Sequence, residues 1–398
     1  MSPGAGIISA ILIIAASQAS QQRYDGHEVW TATPHTPAQL EYLVYLQTHA
    51  HLYQLDFWQE AYTVGTTAMF RVPPSRRSET LNQLGLRGMR PTVTIPNIQQ
   101  AIDINYWMQD MAARFPKRAS LFNISTSYEG RKIVAMKITG SRSGAAKPGF
   151  FLTGGMHARE WISSATVVYM AGQLIEQYGV NPDITAVVDA MDWYVLPVLN
   201  ADGYIYSWTS DRLWRKTRSR HSGSEKCVGV DANRNWDWKW CQRGASHNPC
   251  SDTYCGPGVL SEPEVRGVAN FIQAVPGRFQ AYVDVHAFSQ LWLTPWSYSI
   301  KQPSNYNQQD ECSLAAVKAL TAVYGTQYRR GSAASTLYAV TGGSMDWAHG
   351  VSKIPYAATL ELRDSGKHGF LLPANQIIPS GEETLQGVLA MAKCVVKI

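Results

Sequence analysis

The chain is organised around the stretch Gly149-Phe150-Phe151-Leu152-Thr153-Gly154-Gly155-Met156-His157-Ala158-Arg159-Glu160. Its first five residues predict a short buried strand that two glycines bring to an end. His157 and Glu160 follow three positions apart, so both side chains could face one metal ion. Imidazole and carboxylate are ordinary zinc ligands, and a catalytic zinc needs three protein ligands and one open position. A lone His-x-x-Glu is a weak signal that also fits a surface pair, so a third ligand must come from elsewhere in the chain.

Length and composition describe an ordinary folded chain of two domains. The 398 residues exceed one average domain, and 45% of them are hydrophobic against 16% charged, which excludes a disordered chain. The formal net charge is +5, without a block of like charge. Nucleic acid is therefore not an expected partner.

The N-terminus has the features of a cleaved signal peptide. An apolar run at residues 7–16 is followed by Ser17-Gln18-Ala19, a pattern that suits signal peptidase, and the run is too short to span a bilayer. The basic residues that usually precede such a run are missing, so a disordered or anchored N-terminus is the alternative. No later segment reaches transmembrane length. We expect a signal peptide at 1–19, a secreted, extracellular protein and no membrane partner.

Cysteine usage agrees with export. Four of the six cysteines lie within residues 227–255. In a secreted chain such a group indicates disulfides rather than a metal cluster, and the sequence has no Cys-x-x-Cys. Spacing alone leaves the connectivity open.

Two patterns of elements divide the chain near residue 105. Residues 20–104 predict a small α+β unit with an antiparallel sheet, with strands at 28–33, 67–72 and 91–95 and helices at 36–51 and 77–86. Farther on, apolar strands alternate with helices, and these strands lie at 133–138, 150–153, 193–197, 281–285 and 356–360. This order predicts an α/β domain with a mixed, largely parallel central sheet and helices on both faces.

Polar residues stand at the ends of three of these strands. His157 follows the strand at 150–153, His286 the strand at 281–285, and Glu361 the last one. In open α/β sheets the functional crevice lies at the carboxyl ends of strands. A lone His286 is more often a hydrogen-bonded core histidine, but three such residues at equivalent strand ends indicate a site.

The motifs of the second unit form a characteristic series. They are His157-x-x-Glu160, Arg212-Leu213-Trp214-Arg215-Lys216-Thr217-Arg218, Asp231-Ala232-Asn233-Arg234-Asn235-Trp236, His286-Ala287-Phe288-Ser289-Gln290, Tyr338 and Glu361-Leu362-Arg363-Asp364. This series resembles the zinc metallocarboxypeptidases of the pancreatic A/B type over most of residues 105–398. The N-terminal unit looks like the inhibitory pro-domain of that family. We therefore expect a signal peptide at 1–19, an inhibitory pro-domain at 20–104 and a zinc carboxypeptidase catalytic domain at 105–398.

The resemblance assigns the catalytic residues. It implies that His157, Glu160 and His286 hold one Zn²⁺ per chain. It also makes Glu361 the general base and Arg215 the group that binds the oxyanion. Two His and one Glu leave zinc a fourth position for water, whose proton a carboxylate can accept. A guanidinium stabilises the negative oxygen of a tetrahedral intermediate more than it stabilises the ground-state carbonyl.

The same resemblance assigns the residues that distinguish the end of a peptide from its middle. The free terminal carboxylate would be bound by Asn233, Arg234 and Tyr338, because a guanidinium can form two hydrogen bonds with one carboxylate. Asp231 would accept a hydrogen bond from the outer nitrogen of His157 and fix its tautomer.

Four further basic residues lie near these motifs. The resemblance places Arg159 and Arg212 along the outer substrate groove. For Lys216 and Arg218 we expect a solvated basic surface, the more common environment of such residues.

The specificity pocket implied by the resemblance has Met345 at its base, where basic-specific members of the family have an acid. An uncharged thioether cannot stabilise a buried Lys or Arg side chain. Ala333 and Val340 would line the same pocket, and the small Ala333 leaves room for larger rings. We therefore expect A-type preference, the release of C-terminal aromatic or bulky aliphatic residues.

For the cysteines, the family pattern implies the disulfides Cys227–Cys250 and Cys241–Cys255. Cys312 and Cys394, each predicted on a helix, are left over. They either pair with each other or remain buried thiols.

Two stretches depart from the family. His286-Ala287-Phe288-Ser289-Gln290 stands where the family has His-Ser-Tyr-Ser-Gln, so two hydroxyls near the metal are lost. The connector at 97–103 is short, and no basic residue stands between Arg90 and Arg114, where the family has a trypsin-cleavable linker. Either another protease activates the enzyme, or the start of the mature enzyme is incomplete.

Three functions remain open to the sequence. The leading hypothesis is a secreted, monomeric A-type pro-carboxypeptidase that acts on peptide or protein C-termini, with an activating protease and a proteinaceous inhibitor as further partners. The second is B-type or acidic specificity. The third is a binding protein that has lost catalysis, against which the retention of Glu361, Arg215 and all three ligands argues.

Overall fold

The structure, a computed structural model, describes residues 25–95, 104–141, 146–221 and 226–398. The predicted signal peptide and the short connector at 97–103 lie outside these ranges. The described residues divide into two compact units, and the second begins at Ile104. Among the described residues, no helix combines the length and the apolarity that crossing a membrane requires.

The first unit packs helices on an antiparallel sheet. Its strands are β1 (Glu28–Ala32), β2 (Asp56–Gln59), β3 (Ala68–Val72) and β4 (Thr92–Ile95), in the order β2-β3-β1-β4, and its helices are α1 (Pro37–Thr48), α2 (Ala50–Tyr53) and α3 (Arg77–Gly85). Thr36 begins α1 as its N-cap by accepting from the backbone of Gln39, and Pro37 fits the first turn. Trp30 and Phe70 lie in the buried core of this unit. The α+β architecture agrees with the sequence, whereas β2 was not predicted.

The second unit is built on an eight-stranded sheet. Its strands are β5 (Ala119–Thr126), β6 (Lys132–Ile138), β7 (Gly149–Thr153), β8 (Asp192–Leu196), β9 (Phe279–Ala287), β10 (Leu291–Thr294), β11 (Arg329–Ser332) and β12 (Tyr356–Leu362). They are ordered β11-β10-β12-β9-β7-β8-β6-β5. Four of the described strand pairs are parallel and three are antiparallel. The prediction of a mixed, largely parallel sheet is confirmed.

Helices cover both faces of this sheet, as predicted. They are α4 (Ile104–Arg114), α5 (Trp161–Glu176), α6 (Pro182–Ala190), α7 (Ala201–Thr209), α8 (Pro263–Gln273), α9 (Tyr306–Tyr324), α10 (Ala333–Thr336), α11 (Ser344–Gly350) and α12 (Ile377–Val396). Alternate residues of β9 serve the two faces. Val283 and Val285 pack into the core with α5 and α12, whereas Tyr282 packs into the core with α8 and α11. Because both faces are buried, β7 is apolar along most of its length, and every residue of this strand is buried.

Three neighbouring strands position the site. β7, β9 and β12 lie side by side and are parallel, so their carboxyl ends meet at one edge of the sheet. That edge is where ligands bind in open α/β sheets.

Disulfides close the second unit at three places. The bonds are Cys227–Cys250, Cys241–Cys255 and Cys312–Cys394. The first two are the pairs that the family pattern implies. The third joins α9 to α12, so the last two cysteines pair rather than remaining thiols.

Candidate active site

The loop after β7 carries two of the predicted ligands. Gly155 has a φ of +62°, and an added Cβ would lie 3.0 Å from the carbonyl oxygen of Pro197. Glycine therefore lets this loop turn tightly against the end of the neighbouring strand. His157 follows in the turn, and Glu160 directly precedes α5. Both side chains are buried.

His286 of β9 completes a buried group with His157 and Glu160. His157 Nδ1 lies 2.8 Å from Glu160 Oε1, and His286 Nδ1 lies 2.9 Å from Glu160 Oε2. The two Nδ1 atoms are 3.1 Å apart. Burial acts to raise the pKa of Glu160, but the two histidines outweigh it and hold the pKa below its usual value. The structure thus brings together all three predicted metal ligands.

The geometry of this group fits a zinc ion. Tetrahedral zinc with Zn–N bonds of about 2.0–2.1 Å places two ligand atoms roughly 3.3 Å apart, and the observed separations of 2.8, 2.9 and 3.1 Å are close to that value. The two Nδ1 atoms face each other, so their lone pairs repel each other unless a proton or a metal ion lies between them. Two nitrogens and one carboxylate leave a fourth tetrahedral position open.

A carboxylate stands behind each histidine. His157 Nε2 lies 3.1 Å from Asp231 Oδ1, and His286 Nε2 lies 2.9 Å from Asp284 Oδ2. Both carboxylates are fully buried. Burial acts to raise the pKa of Asp231, but nearby cations, led by Arg215, hold it well below its usual range. These contacts turn Nδ1 of each ring toward the shared ligand position.

Arg215 is anchored beside the ligand group. Its Nη2 and Nε donate to Asp231 Oδ2 at 2.9 and 3.2 Å. Its Nη1 lies 3.9 Å from Glu160 Oε1. Burial acts to lower the pKa of Arg215, but Asp231 and Glu160 raise it overall, so the guanidinium stays charged.

Glu361 of β12 is in register with His286 of β9. Residues in register on neighbouring strands face the same side of the sheet, so this carboxyl group lies on the side of the ligand group. Burial raises the pKa of Glu361 to about 8, with Glu160 adding to the effect and Arg215 opposing it. A cation held by the ligand group would lower this pKa and favour the carboxylate.

Arg234, Asn233 and Tyr338 form a second polar group. Arg234 is buried, and its Nε and Nη1 donate to the carbonyl oxygens of Gly244 and Asn233 at 2.7 and 2.9 Å. The remaining hydrogens of the guanidinium are the ones that can bind a carboxylate. Burial lowers the pKa of Arg234, and Asp231 and Tyr338 oppose this shift. Tyr338 is 62% exposed, so its ring can move without disturbing the core.

The loop that orients Arg234 is closed by the disulfide Cys241–Cys255. Gly244 in this loop has a φ of +59°, and an added Cβ would lie 2.9 Å from a backbone oxygen of the segment after Tyr338. The hydroxyl of Thr341 accepts from two backbone N–H groups of the loop, at 2.9 and 3.0 Å. The segment that carries Tyr338 is therefore attached to the loop that orients Arg234.

Comparison with known proteins decides the family. Residues 104–387 match the zinc carboxypeptidase family, and residues 30–105 match the carboxypeptidase activation peptide. The chain belongs to the zinc carboxypeptidase family. The predicted resemblance is confirmed, and this zinc carboxypeptidase is a metallopeptidase with an activation peptide.

Individual relatives include both A-type and B-type enzymes. The chain is 45% identical to carboxypeptidase B of Astacus astacus over 293 residues, which are 74% of this chain and 95% of that protein. It is 37% identical to carboxypeptidase A2 of Mus musculus over 396 residues, covering 92% and 93% of the two chains. The chain is also similar to a solved structure, that of bovine thrombin-activatable fibrinolysis inhibitor in complex with tick carboxypeptidase inhibitor. The two structures superpose with a TM-score of 0.69 at 39% sequence identity, and the match covers 75% of this chain and 97% of that chain.

Met345 of this zinc carboxypeptidase lies in a small apolar cluster at the start of α11. It is 3% exposed, and the other members of the cluster are Leu291, Leu293, Ala333 and Ala357. Val340, the other residue predicted to line the pocket, is half-buried and lies outside this cluster.

A carboxyl group follows Met345 in the chain. Asp346 is buried and accepts from the backbone N–H groups of Ser297 and Tyr298, at 2.8 and 3.0 Å. Burial raises the pKa of Asp346 to about 7. Its oxygens are thus used to connect α11 to the segment after β10.

Three basic residues of the segment 212–218, namely Arg212, Lys216 and Arg218, are more buried than the sequence indicated. Arg212 is 7% exposed, and its Nη1 donates to the carbonyl oxygen of Arg159 at 2.8 Å. Burial lowers the pKa of Arg212 to about 9. The solvated surface expected for Lys216 is wrong, because Lys216 is buried and its Nζ donates to the carbonyl oxygen of Pro249 at 2.7 Å. Arg218 is half-buried.

Sequence reasoning missed Asp284. The signal was present, because an acid interrupts an otherwise apolar strand. It also stands two positions before His286, and the two-residue period of a strand puts both side chains on one face.

Proposed function

We propose that this metallocarboxypeptidase is an A-type exopeptidase made as a secreted zymogen, with a signal peptide at 1–19, an inhibitory pro-domain at 20–104 and a catalytic domain at 105–398. It would hydrolyse the C-terminal peptide bond and release aromatic or bulky aliphatic residues. The observation that carries this specificity is the apolar surrounding of Met345.

The proposed zinc ligands are His157, Glu160 and His286. When bound, zinc supplies a Lewis acid that polarises a carbonyl group and lowers the pKa of water towards ~7. The close approach of the three ligand atoms, and the burial that keeps competing water away from them, support this assignment.

Glu361 and Arg215 are the proposed catalytic residues. Glu361 would take a proton from the attacking water and deliver it to the leaving amine. Burial raises its pKa, and a cation held by the ligand group would lower it again, which favours the carboxylate that can accept the proton. Arg215 would donate to the oxygen that becomes negative. Because Asp231 already holds its guanidinium through two hydrogen bonds, little reorganisation is needed when that charge develops.

Arg234, with Asn233 and Tyr338, would bind the terminal carboxylate of the substrate. A charged donor in a buried position binds a carboxylate more strongly than an exposed one does, because water competes less. This requirement for a free chain end would make the enzyme an exopeptidase. Arg159 and Arg212 would contribute to the outer part of the groove.

Met345 would form the base of the specificity pocket. A cationic side chain would find no carboxylate at this position, and the neighbouring Asp346 is bound to backbone N–H groups. One observation favours B-type specificity as a second candidate, the 45% identity to carboxypeptidase B of Astacus astacus.

The proposed partners follow from the same assignment. They are peptide or protein C-termini as substrates and a protease that removes the pro-domain. A proteinaceous inhibitor is supported by the relative solved in complex with tick carboxypeptidase inhibitor. We further propose that the enzyme acts as an extracellular monomer.

Limited proteolysis of the full chain tests the proposal. Blocked dipeptides ending in Phe, Leu, Arg and Glu are assayed before and after cleavage, with the C-terminally amidated Phe peptide as the control. We expect activity to appear on cleavage, to be fastest with Phe, to be absent with the amide and to be lost with a zinc chelator. Fastest release of Arg would overturn the pocket assignment, and cleaved, zinc-loaded protein without activity would favour a binding protein.

A further inference from the structure

Asp284 is an ionisable residue at a position of the sheet where an uncharged residue would also fit. It is 0% exposed and lies near the middle of β9. Its register partners on β7 and β12 are Thr153 and Thr359. Burying a carboxylate is strongly unfavourable unless a charge or hydrogen-bond donor compensates it. Threonine stands on both sides of it in the sheet, so the fold alone does not explain an acid here.

The contacts of Asp284 point to the ligand group. Its Oδ2 accepts from Ser344 Oγ at 2.5 Å and lies 2.9 Å from His286 Nε2. Its Oδ1 is buried and has no hydrogen-bond partner among the described residues. The hydrogen-bond partners of this buried carboxylate are therefore Ser344 and His286, and both contact Oδ2.

We propose that Asp284 is a positioning residue for His286, which it holds in the tautomer and orientation that present Nδ1 to the zinc ion. The proposal rests on the proposed function, because it takes His286 as a zinc ligand. The arrangement repeats the pair of His157 with Asp231, where Nε2 and Oδ1 are 3.1 Å apart. A hydrogen bond from Nε2–H to a carboxylate leaves the lone pair on Nδ1 and makes the ring a stronger ligand.

No other neighbour of His286 Nε2 among the described residues offers the same effect. Asn233 Nδ2 lies 3.3 Å from this nitrogen, but its Oδ1 already accepts from the backbone of Ser344 at 2.9 Å. An amide nitrogen is a donor and cannot accept the Nε2 proton. The carboxylate of Asp284 is thus the group that fixes the tautomer.

The test measures zinc affinity of the full chain by competition with a chelator, and the visible spectrum of the Co²⁺-substituted protein. Asp284→Asn should weaken zinc binding by about 10–100-fold and shift the Co²⁺ absorption bands. The matched control is Asp346→Asn, an equally buried carboxyl that does not contact a histidine, and its zinc affinity should stay unchanged. Should Asp284→Asn fail to fold, Asp284→Thr replaces it, because threonine occupies both neighbouring positions in the sheet.

The outcomes separate this proposal from the proposed function. His286→Ala should abolish stoichiometric zinc binding. If it does so while folded Asp284→Asn binds zinc with unchanged affinity and spectrum, the ligand assignment stands and the positioning role is refuted. If His286→Ala leaves zinc binding intact, the ligand assignment itself fails. An equal loss of affinity in Asp346→Asn would show a general effect of altered buried carboxyls and would also refute the role of Asp284.

Discussion

Replacing Met345 with aspartate should convert the proposed A-type specificity to basic specificity. Met345 is 3% exposed within a cluster of leucine and alanine side chains, so the new carboxylate would be poorly hydrated and would seek a cation. A substrate ending in Arg supplies one. Loss of one partner from a buried ion pair costs about 3–5 kcal/mol, and about 1.4 kcal/mol corresponds to a tenfold change. We therefore expect kcat/KM for Arg-terminal peptides to rise by roughly 10² to 4 × 10³-fold. For Phe-terminal peptides it should fall, because the ring would meet a desolvated charge.

The assay compares blocked dipeptides ending in Phe, Leu and Arg on the activated enzyme. Met345→Leu is the matched control, since it keeps an apolar side chain of similar volume and should preserve the preference for Phe. Zinc content and thermal unfolding establish that each variant is folded and loaded. If folded, zinc-loaded Met345→Asp kept the wild-type ratio of Phe to Arg hydrolysis, Met345 would not contact the terminal side chain and the reasoning would be refuted.

Four further predictions follow from the geometry. Glu361→Gln should lower kcat by about 10²–10⁴-fold with little change in KM, and steady-state kinetics showing an unaltered kcat would exclude it as the general base. Arg234→Ala should raise KM for peptides with a free terminal carboxylate by about 10–100-fold, from the roughly 1.5–3 kcal/mol of a hydrogen bond to a charged group; an equal change for the amidated peptide would contradict this. Replacing Cys312 and Cys394 with serine should lower the free energy of unfolding by about 4–5 kcal/mol, because the bond spans 82 residues, and denaturant unfolding that shows less than ~1 kcal/mol would disprove it. The buried carboxylate of Glu262, whose Oε1 lies 3.0 Å from His221 Nε2, raises the pKa of His221. The stabilisation from this ion pair is therefore full below about pH 6.5 and is lost as the pH rises through the folded pKa. His221→Gln should flatten the curve of stability against pH in that range, and an unchanged slope would argue against the ion pair.

The sequence predicted those features that depend on local pattern. Polar residues that end apolar strands identified His157, His286 and Glu361, because parallel strands bring their carboxyl ends to one edge. Thr36 before Pro37 identified the start of α1 for a similarly local reason, the capping of free N–H groups.

Features that depend on contacts with residues far away in the sequence could not be predicted from the local sequence pattern. Lys216 can be buried because its ammonium group donates a hydrogen bond to the carbonyl oxygen of Pro249. No property of the local sequence indicates that contact. Strand β2 is four residues long and owes its pairing to β3, so its own pattern is too short to detect. Asp284 carried a usable signal, but its meaning required the position of the imidazole that it contacts.

The bond between Cys241 and Cys255 has a consequence for where this enzyme can work. It closes the loop whose Gly244 carbonyl steers Arg234, and the same loop holds the backbone behind Tyr338 through Thr341. The residues proposed to bind the terminal carboxylate are therefore held in place by a disulfide, a bond that forms in oxidising environments. In a reducing compartment, the ligand group could still assemble from its strands, while the proposed binding site for a terminal carboxylate would be held less firmly until this disulfide formed.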